Sequence, residues 1–217
     1  TYLPNVAFYV NGGLKDLWSN HLWTLGIEEQ FYLVFPWLIL FLPRRLEIHA
    51  GLTMIVVGFL SQLVAATSGG VLGPIFLLPT SQLATLGAGV LLGVLVHRER
   101  DGVTARICPG PGWVGAWFLA AVVLHQVTSG VVRALLFTPV LVVFFTSLVY
   151  AASNGFSGLT GRVMDWAPFH YLGRISYGIY LYHKVVPLSL VILLNKLGLE
   201  LDGFYLTYLV NLAILIA

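Results

Sequence analysis

The chain carries very little charge. Lys, Arg, Asp and Glu together make up 9% of its 217 residues, against 58% hydrophobic residues. A soluble domain has about 25% charged residues, and so few cannot cover a water-facing surface. The net charge of +2 is too small to point to nucleic acid. Cysteine is almost absent: Cys108 stands alone, which excludes an intrachain disulfide framework. Clustered metal ligands are lacking as well, since His97, His125 and His170 stand apart from other ligand types, and no metal site is expected. There is no Gly-x-Ser-x-Gly elbow, no phosphate loop, no internal repeat and no low-complexity segment.

Long apolar runs are what the chain has instead. Mean hydropathy is +0.89, and seven stretches approach the roughly 20 residues that a helix needs to cross hydrocarbon. They lie near 24–43, 50–68, 76–97, 113–128, 132–152, 172–194 and 204–217. The expected fold is therefore all-α, a polytopic transmembrane helical bundle. The polar stretches 98–112 and 153–171 read as loops, the first through Pro109-Gly110-Pro111-Gly112. The chain opens at Thr1 rather than Met and stops inside the apolar run from Leu212 to Ile216, so it reads as a single transmembrane domain, 1–217, truncated at both ends.

The basic residues sort by loop. Arg44 and Arg45 follow the first stretch, Arg98, Arg100 and Arg106 the third, and Arg162 and Arg174 the fifth. The loops near 68–75 and 129–131 hold no Lys or Arg. Cytoplasmic loops are enriched in Lys and Arg, so the odd-numbered spans are expected to run from outside to cytoplasm, with residues 1–23 outside. Topology explains Arg98, Arg100 and Arg106 without further function, although they are also suited to phosphates of an acyl donor. Gly89 and Gly93, four apart, permit close helix approach.

Two polar clusters interrupt the apolar runs. The first is His21-Leu-Trp-Thr-Leu-Gly-Ile-Glu28-Glu29-Gln30-Phe31-Tyr32. On a helix Glu28 and Tyr32 share a face, with His21 two turns earlier on nearly the same line. The acids either complement a helix dipole or serve chemistry. The second is Ser176-Tyr177-Gly-Ile-Tyr180-Leu-Tyr182-His183-Lys184, in the middle of the sixth stretch. Ser176, Tyr180 and His183 form one stripe, flanked by Tyr177 and Lys184. An intramembrane ionisable group costs about 2.5–3.5 kcal/mol on insertion scales and marks a functional site by default. The alternative is an interhelical hydrogen-bond network without chemistry.

These residues carry a resemblance. The run from His21 to Pro36 resembles the pattern H-x-W-S-L-x-x-E-E-Q-F-Y-x-x-x-P of the acyltransferase-3 family of membrane O-acyltransferases. Ile175 to Lys184 resembles the same family's later motif I-S-Y-x-x-Y-L-x-H. Thr24 stands where the family usually has Ser, Lys184 where an aromatic is common, and Thr80-Ser81-Gln82 where an arginine is expected.

The resemblance implies an enzyme of the inner (plasma) membrane. It would move an acyl group, in the first instance acetyl, from acyl-CoA to a hydroxyl of a cell-surface glycan or similar acceptor. No bound cofactor is implied; acyl-CoA is the donor substrate. The family core has about ten helices, of which this chain would hold the last seven. The family's catalytic histidine lies on a first helix not included here, so His21 is not that base and the chain alone is expected to be inactive. Glu28 is expected to orient or charge-balance that histidine. His183 is expected in the catalytic apparatus, with His21, Gln30, Tyr32, Ser176 and Tyr180 binding substrate. Outside this family, mid-membrane polar residues also suit a transporter of a small polar solute or a non-catalytic membrane partner.

Overall fold

The structure is a computed structural model, and it describes residues 3–10, 22–68, 77–98, 111–128, 130–156 and 158–196. Among these the regular structure is helical throughout. The chain divides into two compact units, one formed by 1–15 and 23–156, the other by 16–22 and 157–217.

The first unit holds α1 (Pro4–Val10), α2 (Trp23–Phe41), α3 (Glu47–Thr67), α4 (Pro79–Arg98), α5 (Pro111–Val127) and α6 (Gly130–Ser153). Its helices match the first five expected stretches to within a few residues. Among the described residues, three helical segments are long and apolar enough to cross a membrane: Arg44–Thr67, Pro79–Arg98 and Val131–Ser153. α5, of 17 residues, is shorter.

Burial is inverted relative to a soluble protein. Leu52, Val56, Leu60 and Val64 recur every fourth residue along α3, and each is exposed. Small residues line the inside: Gly51, Gly58, Ala84, Gly87 and Ala88 are buried where α3 meets α4. A Cβ at Gly58 would overlap the backbone of Ala84, and one at Gly87 would lie 2.7 Å from Met54 Cβ and 2.9 Å from the Gly51 carbonyl oxygen. Lipid supplies no hydrophobic drive between helices, so close van der Waals packing at small residues has to supply the cohesion.

Gly89 and Gly93, the expected approach pair, have open space where a Cβ would be. They are on α4 but off the face that meets α3. Gly87 and Gly58 take that role instead.

The two ends of the α3–α4 pair are tied differently. At one end Ser61 shares a hydrogen bond with Thr80, 3.0 Å, and Gln62 Nε2 donates to the Ser81 carbonyl, 2.7 Å. At the other, Arg98 pairs with Glu47 at 2.7 Å. Arg98, a candidate for donor phosphates, is thus engaged with an acid of the neighbouring helix; Arg100 and Arg106 lie outside the described residues. α6 stops where Gly155, at φ 77°, takes the left-handed conformation that glycine adopts without strain.

The second unit holds α7 (Gly158–Met164), α8 (Ala167–Tyr182) and α9 (Val185–Lys196). Two expectations are corrected here. The stretch 153–171 is not one loop, since α7 and the start of α8 lie within it. The sixth stretch, 172–194, is not one continuous helix: His183 and Lys184 form a turn between α8 and α9. Pro187 explains the interruption, because it has no N–H to offer the carbonyl four residues back, that of His183. In the first turn of α9 that loss is tolerated. The seventh stretch, 204–217, lies outside the described residues.

Candidate active site

The acid cluster is built on the first two turns of α2. Glu28 is exposed, and Tyr32, one turn on, is 65% exposed. The expected shared face is therefore present and uncovered. Behind Tyr32, Phe31 stacks on Phe35 with ring centroids 4.5 Å apart, which holds an aromatic layer along the neighbouring line of the helix.

Gln30 does not join that face. Two residues beyond Glu28, it lies about 200° around the helix, and its Nε2 donates to Asn5 Oδ1 at 2.8 Å. Asn5 is fully buried and donates in turn through Nδ2 to the Leu77 carbonyl at 3.2 Å. Leu77 is itself fully buried, just before α4. The structure thus separates two residues of the expected substrate-binding set: Tyr32 faces outward beside the expected catalytic Glu28, while Gln30 engages α1. His21 lies outside the described residues.

Asn5 is the polar residue that sequence reasoning missed. An asparagine in an apolar run was its only local signal, and its partners are far away in the chain. Gly26, inside the acid motif, makes its place: a Cβ there would lie 2.8 Å from the Pro4 ring and 3.1 Å from Asn5 Oδ1.

In the second cluster, at the end of α8, two side chains bond carbonyls of their own helix. Ser176 Oγ donates to the Gly173 carbonyl at 2.8 Å. His183 caps α8, its N–H reaching the Ile179 carbonyl at 2.8 Å and its ring nitrogen Nδ1 lying 2.6 Å from the Tyr180 carbonyl oxygen. The Tyr180 and His183 rings sit 5.7 Å apart. The expected stripe is therefore real for Tyr180 and His183, and Ser176 is exposed one turn earlier.

An Nδ1 held by a backbone carbonyl carries the proton in the neutral ring, which leaves Nε2 as the acceptor. Such a histidine is suited to receive a proton or to bond a hydroxyl.

A cavity of about 270 Å³ lies elsewhere, among α3, α4 and α6, lined by Ile55, Phe59, Leu91, Pro139, Val142 and their neighbours. It has no titratable side chain, so acid–base chemistry does not belong there. Among the described residues no group of three His, Cys, Asp or Glu is placed to hold a metal ion.

Comparison with known proteins bears on the family of the chain. The O-acetyltransferase OatA of Staphylococcus aureus strain NCTC 8325 is 25% identical over 187 residues, covering 82% of this chain and 31% of that protein. OatA of strain COL matches to the same extent. The chain thus spans about a third of the length of the curated relatives it matches. No solved structure matches it. The acyltransferase-3 family, an acyltransferase domain, matches residues 1–217, and the chain belongs to that family.

Proposed function

We propose that this chain is the membrane part of an O-acyltransferase that moves an acyl group, in the first instance acetyl, from acyl-CoA to a hydroxyl of a cell-surface glycan. The supporting observation is the exposed pair Glu28 and Tyr32 on one face of α2, in a helix whose rear is fixed by the Gln30–Asn5 bond. Topology follows the loop charges: 1–23 outside, and 44–49, 98–112 and 153–171 cytoplasmic, in a multi-pass protein of the plasma membrane. The 217 residues act as one transmembrane domain.

The chemistry is acyl transfer. The acceptor oxygen attacks the thioester carbonyl carbon as a base takes the hydroxyl proton, the C–S bond breaks with CoA leaving as the thiolate, and the base passes that proton to the sulfur. Glu28 orients the histidine base that the family resemblance implies and stabilises its charged form. Tyr32 hydrogen-bonds the acceptor. His183, through Nε2, together with Tyr180 and Ser176, lines the passage of the acyl group and steadies charge on its carbonyl oxygen. His21 contributes to acceptor binding.

The experiment uses membranes containing the protein, acetyl-CoA labelled in the acetyl group, and a polysaccharide acceptor. Label appearing on the glycan as an alkali-labile ester supports the reading. Label or solute accumulating inside vesicles without ester formation would make the protein a transporter.

A further inference from the structure

The polar groups behind α2 form a directed chain. A backbone carbonyl can only accept, so the Leu77 oxygen fixes which end of the Asn5 amide faces it: Nδ2. Oδ1 must then face Gln30, and Gln30 must present Nε2. One carbonyl at the entry to α4 thereby sets the amide orientation of two side chains on two other helices. Asn5 is fully buried, so neither bond is exchanged for water without moving α1. α1 in turn sits directly over Gly26, one turn before Gln30.

We propose that Asn5 is a positioning residue for the acid motif. By holding Gln30 it fixes the rotation of α2 about its axis, and so fixes where Glu28 and Tyr32 point. A helix that turns by one residue swings a side chain by about 100°, which would bring Glu29 to the heading of Glu28 and carry Glu28 away from it. Asn5 touches no substrate in this scheme; it acts through Gln30. The proposal rests on the reading of Glu28 as the working acid, and its test is chosen to separate the two.

The test uses the full-length protein in membranes, with Asn5→Ala, Gln30→Leu and the double variant. Displacements of about 1 Å cost on the order of 100-fold in rate. Each single variant is expected to lower kcat per inserted molecule by between about 10-fold and 100-fold on that scale, with KM for acetyl-CoA unchanged. The double variant is expected to fall no further than Asn5→Ala, because both single variants already break the Gln30–Asn5 bond. A second readout is independent of catalysis. In a Cys108→Ala background, maleimide labelling of Glu28→Cys and of Glu29→Cys is compared with and without Asn5→Ala. Labelling at 28 should exceed that at 29, and Asn5→Ala should erase the difference. Wild-type kcat in either single variant, additive losses in the double, or an unchanged labelling ratio would overturn the proposal. Gln30→Leu keeps the buried Asn5–Leu77 bond and so decides the matter if Asn5→Ala fails to insert. Full activity in Glu28→Gln, with labelling still responding to Asn5→Ala, would sink the catalytic reading and leave the positioning intact.

Discussion

The two polar motifs differ in the hydrogen bonds that frame them. Behind the acid motif on α2 these span helices: Gln30 to Asn5 and Asn5 to Leu77, with Gly26 under Pro4. In the late motif on α8, Ser176 and His183 each bond a carbonyl three residues earlier on their own helix. A group that needs an exact heading toward a partner benefits from a frame that resists rotation. A group that lines a passage needs only to be on the right helix face. A frame that spans helices suits the orienting role proposed for Glu28, and each variant below tests or sharpens that contrast.

The largest effect is expected at Glu28. Glu28→Gln preserves size and hydrogen-bonding capacity but removes the charge. If the carboxylate supports a histidine base, acyl transfer per inserted molecule falls on the order of 100-fold or more, with insertion unchanged. The expected role in complementing a helix dipole does not fit, since α2 has no acid in its first turn; if Glu28 is only an exposed surface carboxylate, stability changes by no more than about 0.5 kcal/mol with activity nearly intact. Glu29→Gln is the internal control, about 100° away around the helix, and should matter less.

Each motif also contains a glycine, and these should respond with opposite sign. A Cβ at Gly26 would press on the Pro4 ring at 2.8 Å, whereas one at Gly178 meets nothing within 4 Å. Gly26→Ala should cost about 1–3 kcal/mol by overpacking and lower activity as α1 is displaced. Gly178→Ala should be neutral or stabilise α8 by about 0.5–1 kcal/mol, the helix-interior difference between the two residues. Thermal unfolding in detergent and transfer rates on the same preparations check both. A stable, fully active Gly26→Ala protein would mean that α1 is not the frame of the acid motif.

At the α3–α4 seam the same logic gives a smaller contrast between two ties. The Arg98–Glu47 pair has side chains 33% and 16% exposed, so screening limits its worth to about 0–1 kcal/mol. Arg98→Gln should therefore leave stability almost unchanged. If Arg98 also meets donor phosphates, KM for acetyl-CoA rises while kcat holds, which enzyme kinetics on the variant would reveal.

How much of this was legible in the sequence depends on the range of the interaction. Helix positions and the shared faces of Glu28 with Tyr32 and of Tyr180 with His183 follow from periodicity, which is a local property. The break at His183 was signalled by Pro187 and by the polar pair His183-Lys184, but the apolar residues on either side read together as one span. Asn5 was not legible, because its partners Gln30 and Leu77 lie 25 and 72 residues away and no local pattern announces them. The glycine seam failed for a related reason. The spacing of Gly89 and Gly93 fits a close-approach motif, but spacing does not say which face of α4 meets a neighbour. Gly87 faces Met54 and Gly51, and Gly89, two residues on, faces open space.

The smallest effect is expected at Ser176, and it bears most directly on the local character of the late motif. Its hydroxyl donates to the Gly173 carbonyl at 2.8 Å and the residue is exposed. Removing it leaves that carbonyl with its helical bond, so Ser176→Ala should change stability by no more than about 0.5 kcal/mol. Rate is the informative readout. A hydroxyl that also bonds the passing acyl group contributes about 1 kcal/mol, which is roughly a fivefold loss of kcat at that energy. We expect that fivefold loss, with KM for acetyl-CoA unchanged, because a passage-lining group meets the acyl moiety rather than the nucleotide end of the donor. An unchanged kcat would assign the hydroxyl wholly to its own helix. The passage proposed here would then rest on Tyr180 and His183.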